Sequence, residues 1–299
     1  MNEELTHIPV LMNEVMELLN PQPNQNFLDC TLGGGGHSKE ILKRTGPSGK
    51  LWGIDRDEYA LGRAKDNLKE FDSRIQLIHG KFSEAVNLLS QDVFSQLNGV
   101  LMDFGVSSFQ LDDESRGFSF RNDAPLDMRM NRKDSMSAKE FLHQSDENEI
   151  ADVIYIYGEE RNSRKIARNI VQARNERKLE TTFDLVNAVT KSFPPRHYWK
   201  INPATKTFQA IRMKINGELD EIERGVMALS NVLPAGAKLV VITFHSLEDR
   251  LVKRMFRQMH HSKRAKLLTK KPLVATQEEC GQNPRSRSAK VRGIEMVNP

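Results

Sequence analysis

The chain has 299 residues, of which 38% are hydrophobic and 28% are charged. This balance is typical of a globular protein with a sizeable core, so it excludes an intrinsically disordered chain and allows one large domain or two unequal ones. The first residues, MNEELTHIPV, lack the layout of a signal peptide, and no apolar run reaches the roughly 18 residues of a membrane helix. We therefore expect a cytoplasmic protein.

The net charge of +4 is concentrated late in the chain. Between Arg250 and Arg292 there are thirteen Lys and Arg residues but only two acids, Glu278 and Glu279. Such a segment favours a polyanionic partner, although a solvated basic tail is the alternative.

The two cysteines, Cys30 and Cys280, stand far apart, without a CxxC motif or a Cys/His spacing typical of zinc. We expect two reduced thiols and neither a disulfide framework nor a zinc site. Since no other cluster of ligands in the sequence demands a metal, none is expected.

Short apolar runs alternate with helical patterns before residue 107. The runs predict four strands, at residues 27–32, 51–55, 75–79 and 99–104, and amphipathic helical patterns lie before and between them. This alternation is typical of βαβ units. It predicts an α/β fold of the Rossmann-like type, with a parallel sheet.

The alternation stops at residue 107 and resumes at residue 217. The segment 107–216 is helical in pattern, with capping boxes at Ser137/Glu140 and Thr181/Asp184, and it predicts an inserted helical subdomain. Residues 1–106 and 217–299 would then form the interrupted domain.

The last part of the chain predicts further elements of that domain. These are a helix at 219–232, a buried strand at 238–244, a helix that begins with a capping box at Ser246/Asp249, and a last edge strand at 291–297. Residues 260–288 are expected to form a loop or a mobile arm, because they contain few large apolar side chains.

Four consecutive glycines, residues 33–36, follow the first predicted strand and precede a helix. Glycines at such a turn let the backbone approach a ligand closely, with helix N–H groups directed at its polar end. Asp55 ends the second predicted strand, where an acid accepts hydrogen bonds from both ribose hydroxyls of an adenosine-containing cofactor. A glycine-rich hinge without a ligand is the alternative, but the acid at this spacing favours a nucleoside cofactor.

The residues after the glycines indicate which cofactor binds. In the GxGxxG pattern of dinucleotide enzymes, counted from Gly33, Ser38 replaces the last glycine, and the bulky His37 follows Gly36. A pyrophosphate is poorly accommodated there, whereas S-adenosylmethionine contains none. We therefore expect S-adenosylmethionine.

Two further residues end predicted strands on the side of the sheet where ligands bind, Asp103 and His245. A carboxylate at position 103 could accept the proton of an amine during methyl transfer, bind the aminopropyl end of the cofactor, or cap the following segment. His245 is expected to contact the substrate, with a place beside a helix cap as the alternative.

A series of short blocks, rich in Gly, Asp, Arg and aromatic residues, runs along nearly the whole chain. The blocks are DCTLGGGGHS (29–38), DRD (55–57), DFGVSS (103–108), QLD (110–112), RGFSF (116–120), PLDMRM (125–130), YGEE (157–160), ATKTFQAIR (204–212), FHSLEDR (244–250) and NPRSRS (283–288). In this order they resemble the signature of the RsmH family, also called MraW, of bacterial methyltransferases.

The resemblance implies N4-methylation of a cytidine (cytosine 1402) in the decoding region of 16S ribosomal RNA, with the small ribosomal subunit as partner. Carried over position by position, it implies cofactor contacts at Gly35, Gly36, His37, Asp55, Phe82, Asp103 and Gln110. Asp103 is the catalytic candidate. Substrate contacts are expected at Asp127, Arg129, Arg212, His245 and Ser246, and the insertion 107–216 is expected to help recognise RNA.

Two patterns independently favour RNA. Arg161, Arg164, Lys165 and Arg168 recur at helical spacing opposite an apolar face, and such a stripe can follow phosphates. Residues 196–200, RHYWK, interleave aromatic and cationic side chains, which suits stacking on unpaired bases. A solvated helix face and a buried tryptophan are the respective alternatives.

One block departs from the pattern of many amino-methylating enzymes. They carry Asp/Asn-Pro-Pro-aromatic after the fourth strand, whereas this chain has DFGV at 103–106. Groups that stack on the base and accept its proton are then expected elsewhere, such as in the insertion. An acceptor there would be an alternative to a catalytic role for Asp103. The alternative functions are a DNA or small-molecule amine methyltransferase and a non-catalytic ribosome-assembly factor. The oligomeric state stays open, with a homodimer as one option.

Overall fold

The computed structural model describes residues 9–195, 199 and 201–297. The chain divides into two compact units, a first unit of residues 1–105 with 219–299 and a second unit of residues 106–218. None of the helices in the described ranges combines the length and the apolar character that crossing a lipid bilayer requires.

The strands are β1 (Asn26–Asp29), β2 (Leu51–Asp55), β3 (Ile75–His79), β4 (Leu97–Asp103), β5 (Lys238–Thr243), β6 (Ala265–Leu267), β7 (Leu273–Val274) and β8 (Lys290–Met296). The α-helices are α1 (Met12–Leu19), α2 (Gly36–Arg44), α3 (Glu58–Asn67), α4 (Ala85–Leu88), α5 (Gln91–Ser95), α6 (Ser108–Asp112), α7 (Ala138–Gln144), α8 (Glu147–Gly158), α9 (Ser163–Asn175), α10 (Thr182–Thr190), α11 (Ala204–Asn216), α12 (Glu218–Val232), α13 (Ser246–His261) and α14 (Gln277–Gln282).

The strands of the first unit form one sheet in the order β3-β2-β1-β4-β5-β8-β6, with β7 paired to β8. The first five strands run parallel, and β8 runs antiparallel to its neighbours. Leu28 and Val100 face an apolar layer shared with α12 and α13, whereas Phe27 and Leu101 face the layer shared with α1, α2 and α3. Helices on both faces of a largely parallel sheet confirm the predicted α/β Rossmann-like fold.

The strand order reverses between β1 and β4, which lie side by side at the centre of the sheet. In open parallel sheets, ligands bind beyond the carboxyl ends of the strands at such a reversal. Asp29 ends β1 and Asp103 ends β4, and Asp29 is in register with Leu101. Two acids therefore stand where a ligand is expected.

The second unit is helical and has its own apolar core. That core includes Phe141, Ile150, Ile166, Leu185 and Ile211. The capping boxes predicted at Ser137/Glu140 and Thr181/Asp184 are both present at the starts of α7 and α10. Since each acid accepts the backbone N–H of its own cap residue, both helices begin where the sequence pattern indicates.

The C-terminal part differs from its prediction in three respects. Residues 260–288 are not a mobile arm, because residues 265–267 pair as β6 with β8 and residues 273–274 pair as β7 with the same strand. The strand β8 lies inside the sheet rather than at its edge, between β5 and the pair β6 and β7. The cap of α13 is His245 with Glu248, one residue earlier than the predicted Ser246 box.

Candidate active site

The glycine-rich turn is held by both strands that flank β1. The N–H of Cys30 donates to a carbonyl of β4 (2.9 Å), and the N–H of Leu32 donates to a carbonyl of β2 (3.0 Å). Gly33 and Gly35 have φ angles of 53° and 78°, in the left-handed region that glycine adopts without strain. The turn is thereby fixed at the carboxyl edge of the sheet.

The four glycines are not equivalent. A Cβ at Gly35 would lie 2.7 Å from Cδ1 of Leu68, and a Cβ at Gly36 would lie 2.4 Å from Cγ of Pro9. A side chain at Gly36 would therefore displace Pro9, and one at Gly35 would displace Leu68 and strain the backbone. A Cβ at Gly33 would meet nothing closer than 3.9 Å, so this glycine leaves open space beside the turn.

Asp55 closes the turn from the end of β2. Its Oδ2 accepts the N–H of Gly33 (2.8 Å), and its Oδ1 accepts the N–H of Asp57 (2.8 Å). Burial raises the pKa of Asp55 to about 6, although these two hydrogen bonds oppose the shift. Since each carboxylate oxygen has two lone-pair sites, each can still accept one further hydrogen bond.

Asp29 is a central residue of the site that the sequence analysis did not single out. Its Oδ2 accepts the hydroxyl of Ser38 (2.6 Å) and its Oδ1 accepts the N–H of Thr31 (3.1 Å). Burial raises the pKa of Asp29 to about 6, partly offset by the Ser38 hydrogen bond. The available signal was an acid placed directly between an apolar strand and a glycine-rich turn. Ser38, where a dinucleotide enzyme would carry glycine, is thus used to hold Asp29.

Asp103 is the least satisfied carboxylate of the site. Its Oδ1 is buried and makes no hydrogen bond to any residue within the described ranges, and its Oδ2 lies 3.9 Å from Nδ1 of His37. Its backbone N–H donates to Oγ1 of Thr31 (2.5 Å), which ties β4 to the glycine turn. Burial, together with the nearby charges of Asp29 and Glu248, raises the pKa of Asp103 well above its usual range.

His37 is buried at the start of α2, with Nε2 3.0 Å from the carbonyl oxygen of Val10. Because a carbonyl oxygen only accepts, Nε2 carries a hydrogen, and Nδ1 is the nitrogen that faces Asp103. The imidazole is therefore fixed in orientation beside the carboxylate.

Phe82 lies in the core, and only 9% of it is exposed. Its ring stacks on Phe104 with centroids 5.6 Å apart, and a Cβ on Gly225 of α12 would lie 2.3 Å from Phe82 Cδ2. The next residue, Ser83, donates its N–H (3.0 Å) and its hydroxyl (2.7 Å) to the buried carboxylate of Glu221. Both aromatic rings belong to the core, so Phe104 is not available to stack on a base.

His245 serves as the N-cap of α13. Its Nδ1 accepts the N–H of Glu248 (3.3 Å), and its Nε2 lies 3.1 Å from Oε1 of the same residue. The N–H of Phe244 donates to Oε2 of Glu248 (2.7 Å). The structure places His245 in the capping role that was the alternative to substrate contact, and it leaves Ser246 exposed on the first turn.

The PLDMRM block of the second unit is held by ionic and backbone contacts. Arg129 and Asp127 form a bidentate pair, with Nε to Oδ1 at 2.7 Å and Nη2 to Oδ2 at 2.9 Å. Burial raises the pKa of Asp127, but the hydrogen bonds from Arg129 outweigh it and leave that pKa below its usual value. The buried Arg116 donates to two carbonyls of the block, and Asn216 donates to the carbonyl of Met128 (2.8 Å).

The other two predicted site residues of the second unit also have partners within it. Arg212 forms a bidentate pair with Glu218, both contacts being 2.8 Å. Gln110 closes a capping box with Ser107, whose N–H donates to Oε1 (3.0 Å). These side chains therefore shape the second unit itself.

The model of the MraW methylase family matches residues 4–297 of this chain. The chain belongs to the MraW methylase family. It is 45% identical to the ribosomal RNA small subunit methyltransferase H of Trichlorobacter lovleyi, over 99% of each chain, and 46% identical to that of Wolbachia sp. subsp. Drosophila simulans, over 98% of this chain and 100% of the relative. A solved rRNA methylase from Streptococcus thermophilus is similar with a TM-score of 0.45 and 8% identity, over 98% of this chain and 99% of that one.

Family membership confirms the resemblance, and with it a methyltransferase whose methyl donor is S-adenosylmethionine. The charges where the strand order reverses, between β1 and β4, fit this donor. Asp29 is buried, Asp55 and Asp103 are half-buried, and each of these three carboxylates has a raised pKa. A pyrophosphate would add negative charge to this group, whereas a sulfonium and an amino group bring positive charge. Asp55 keeps acceptor capacity for ribose hydroxyls, and Oδ1 of Asp103 makes no hydrogen bond within the described ranges.

Two segments of this MraW family member are predicted from sequence patterns to contact RNA, the basic stripe 161–168 and residues 196–200. Arg164, Lys165 and Arg168 lie on α9, whereas Arg161 precedes it. Arg164 contacts Asp152 (2.8 Å) and Arg168 contacts Glu147 (3.7 Å). All four side chains are exposed, and such pairs hold their partners only weakly. Residues 196–198 and 200 of the RHYWK segment lie outside the described residues, and Trp199 donates from Nε1 to the carbonyl of Pro194 (2.8 Å).

Proposed function

We propose that this chain methylates N4 of a cytidine, cytosine 1402, in the decoding region of 16S ribosomal RNA, with S-adenosylmethionine as donor. Family membership and the relatives named ribosomal RNA small subunit methyltransferase H support the substrate class. The observation that carries the chemistry is the buried, unpartnered Oδ1 of Asp103 at the carboxyl edge of β4, judged over the described residues. A cytoplasmic location belongs to the same proposal.

When bound, S-adenosylmethionine supplies a methyl group that its positively charged sulfur already activates. The exocyclic nitrogen of cytosine shares its lone pair with the ring, so it gains nucleophilicity when an acceptor takes its hydrogen. Oδ1 of Asp103 is an acceptor without a competing donor in the described part of the chain. The raised pKa makes this carboxylate a stronger base than a solvated aspartate, which suits it to hold the released proton.

The remaining assignments divide between donor and substrate. We propose that the donor is bound by Gly35, Gly36, His37, Asp55, Phe82 and Gln110. Asp55 would accept the ribose hydroxyls while it holds Gly33. We assign the second unit, residues 106–218, to RNA recognition. There, the paired Asp127/Arg129 and Arg212 would fix the surface that meets the RNA. His245 and Ser246, at the start of α13, are proposed to contact the substrate as well.

The proposal is tested with small ribosomal subunits prepared from cells that lack this enzyme, so that the target is unmodified. Incubation with radiolabelled S-adenosylmethionine, followed by digestion to nucleosides, should yield labelled N4-methylcytidine. Free 16S RNA and duplex DNA serve as competing substrates. A folded, donor-binding protein that produces no N4-methylcytidine on subunits or free RNA would overturn the proposal.

A further inference from the structure

The outer face of α13 carries a row of cations that the methyl-transfer chemistry does not use. Arg250, Arg254, Arg257 and His261 follow one another at intervals of three or four residues, and Lys253 lies three residues after Arg250 and four before Arg257, so all five lie on one face of this 16-residue helix. We call this set the α13 stripe. At about 1.5 Å per residue it extends for about 16 Å along the helix.

The opposite face of α13 is committed to the core. Val252, Met255, Phe256 and Met259 are buried in the apolar layer that covers the sheet. The stripe side chains, together with Gln258 and Ser262, surround a shallow groove on the outside of the helix. The helix is therefore fixed in rotation, with its cations directed outward.

Most acids near the stripe are engaged elsewhere. Asp249 forms ion pairs with Arg292 (2.7 Å) and Lys290 (3.6 Å) of β8, and Glu248 lies buried in the N-terminal cap of α13. Lys253 and Arg257 have no ion pair within the described ranges. Arg254 contacts Glu223 at 3.4 Å, but both side chains are exposed, and such pairs stabilise by less than about 1 kcal/mol. The positive charges of Lys253, Arg254 and Arg257 therefore stay available to an anion.

The chemistry of the stripe distinguishes between two polyanionic surfaces. A helix that binds a membrane surface exposes large apolar side chains beside its cations, so that they enter the lipid. The α13 groove is instead completed by Gln258 and Ser262, and the apolar face of the helix is buried. The three arginines of the stripe, Arg250, Arg254 and Arg257, have guanidinium groups that suit the bidentate recognition of phosphate oxygens. The surface therefore favours a nucleic acid backbone over a lipid surface.

The stripe also begins close to the methyl-transfer site. Its helix starts at Ser246, three residues after the end of β5, and β5 lies beside β4 with Ile242 in register with Asp103. Arg250 is one turn further along α13. An RNA strand whose base reaches Asp103 would therefore bring neighbouring phosphates to the start of the stripe.

We propose that the α13 stripe binds the phosphate backbone of the substrate RNA next to the target nucleotide. This inference rests on the proposed function, since it takes the substrate to be RNA. The stripe supplies affinity and orientation without reading sequence, because phosphates carry no base information.

The test compares K253Q/R257Q with K43Q/K65Q, a control with the same change in charge at exposed positions of α2 and α3. Binding to a fluorescently labelled 16S RNA fragment that contains the target cytidine is measured by anisotropy at several salt concentrations. We expect K253Q/R257Q to lose affinity on the order of tenfold and to lower the slope of log K against log salt by about 2. The control should match the wild type, and KM for subunits should rise only in K253Q/R257Q.

The outcomes separate the two proposals. If the wild type methylates subunits but K253Q/R257Q keeps the affinity and the salt slope, the stripe proposal is overturned and the proposed function stands. If the wild type methylates no RNA, the proposed function itself is wrong. Vesicles of phosphatidylglycerol and phosphatidylcholine test the other occupant. Loss of vesicle binding with unchanged RNA binding would assign the stripe to a membrane and contradict the proposal.

Discussion

Oδ2 of Asp55 accepts the backbone N–H of Gly33 at 2.8 Å, so the carboxylate predicted to bind ribose also fixes the glycine turn. The two roles are compatible, because each oxygen accepts one backbone N–H and keeps a second acceptor site. A change at Asp55 should therefore disturb the donor site in two ways, through the lost ribose contact and through a loosened turn.

The first prediction concerns D55A. Hydrogen bonds to a charged group contribute about 1.5–3 kcal/mol each, so the loss of one or more should weaken binding of S-adenosylmethionine by about 10- to 100-fold. Isothermal titration calorimetry measures the change. D66A, an exposed acid on α3, is the matched control and should bind like the wild type. Equal affinities of D55A and wild type would contradict the assignment.

The second prediction separates the roles of Asp103. If its carboxylate accepts the proton of the target amine, D103N should bind S-adenosylmethionine within a few-fold of the wild type and lose about 10²- to 10⁴-fold in single-turnover rate. If it instead binds the amino group of the donor, calorimetry should show the larger loss in donor affinity. That second pattern would remove Asp103 from the chemical step.

The third prediction is a pH dependence of stability that originates in Asp29. Its pKa is about 6 in the folded chain and 3.8 in an unfolded one, so the folded state holds more protons between these values. The free energy of unfolding contributed by this group is therefore highest below pH 3.8, falls as pH rises through that window, and is constant above pH 6. The total change is about 3 kcal/mol.

The measurement is urea denaturation of the wild type and D29N at several pH values between 4 and 7, without donor. Because D29N does not titrate at this position, the wild-type free energy of unfolding relative to D29N should decline across the window. A difference that stays flat, or that rises with pH, would show that burial does not raise the pKa of Asp29.

Much of the first unit was predictable because local pattern and tertiary context agree. Residues 51–55 and 75–79 form β2 and β3 with the predicted bounds, since apolar runs between helical patterns have few other places in a parallel sheet. The prediction of a loop or mobile arm at 260–288 was wrong for the opposite reason. Its strands β6 and β7 have three and two residues, too short for a pattern, and they exist because β8 offers them a partner.

The part of the candidate site that a backbone motif specifies was predictable. The part that depends on the contact of a single side chain was not. The glycine turn and Asp55 follow from spacing, whereas Glu221 is one acid among several on α12 and is recognisable only through its contact with Ser83. Gly35 and Gly36 have a second reason to be glycine beside the predicted ligand, because Leu68 and Pro9 occupy the space where their Cβ atoms would lie.

The fourth prediction concerns thiol reactivity. Burial, with the charges of Asp29 and Glu221, raises the pKa of Cys30 well above its usual value, so the reactive thiolate is rare. Cys280 is half-buried and carries a free thiol. In the folded chain a thiol reagent should therefore modify Cys280 and spare Cys30, and in denaturant it should modify both. The C280S variant is the control, and rapid labelling of folded C280S would contradict the prediction.

The fifth prediction is that Glu221 positions the segment that carries Phe82. Its carboxylate is buried and accepts both the N–H and the hydroxyl of Ser83, while Gly225, one turn later on α12, leaves room for the Phe82 ring. The variant E221Q should reduce the free energy of unfolding by about 1.5–3 kcal/mol, since an uncharged amide replaces the acceptor of two hydrogen bonds. S83A should cost less, because only the hydroxyl contact is lost.

A double-mutant cycle of E221Q and S83A isolates the contact itself. The two effects on unfolding should be less than additive, with a coupling of about 1 kcal/mol, because both substitutions remove the same hydroxyl hydrogen bond. Calorimetry with S-adenosylmethionine supplies a readout that a purely structural role would leave unchanged. If Glu221 positions Phe82 for the donor, E221Q should weaken donor binding several-fold, and a substitution on the exposed side of the same helix, M227A, should not. Strict additivity together with unchanged donor affinity would limit Glu221 to the stability of the core.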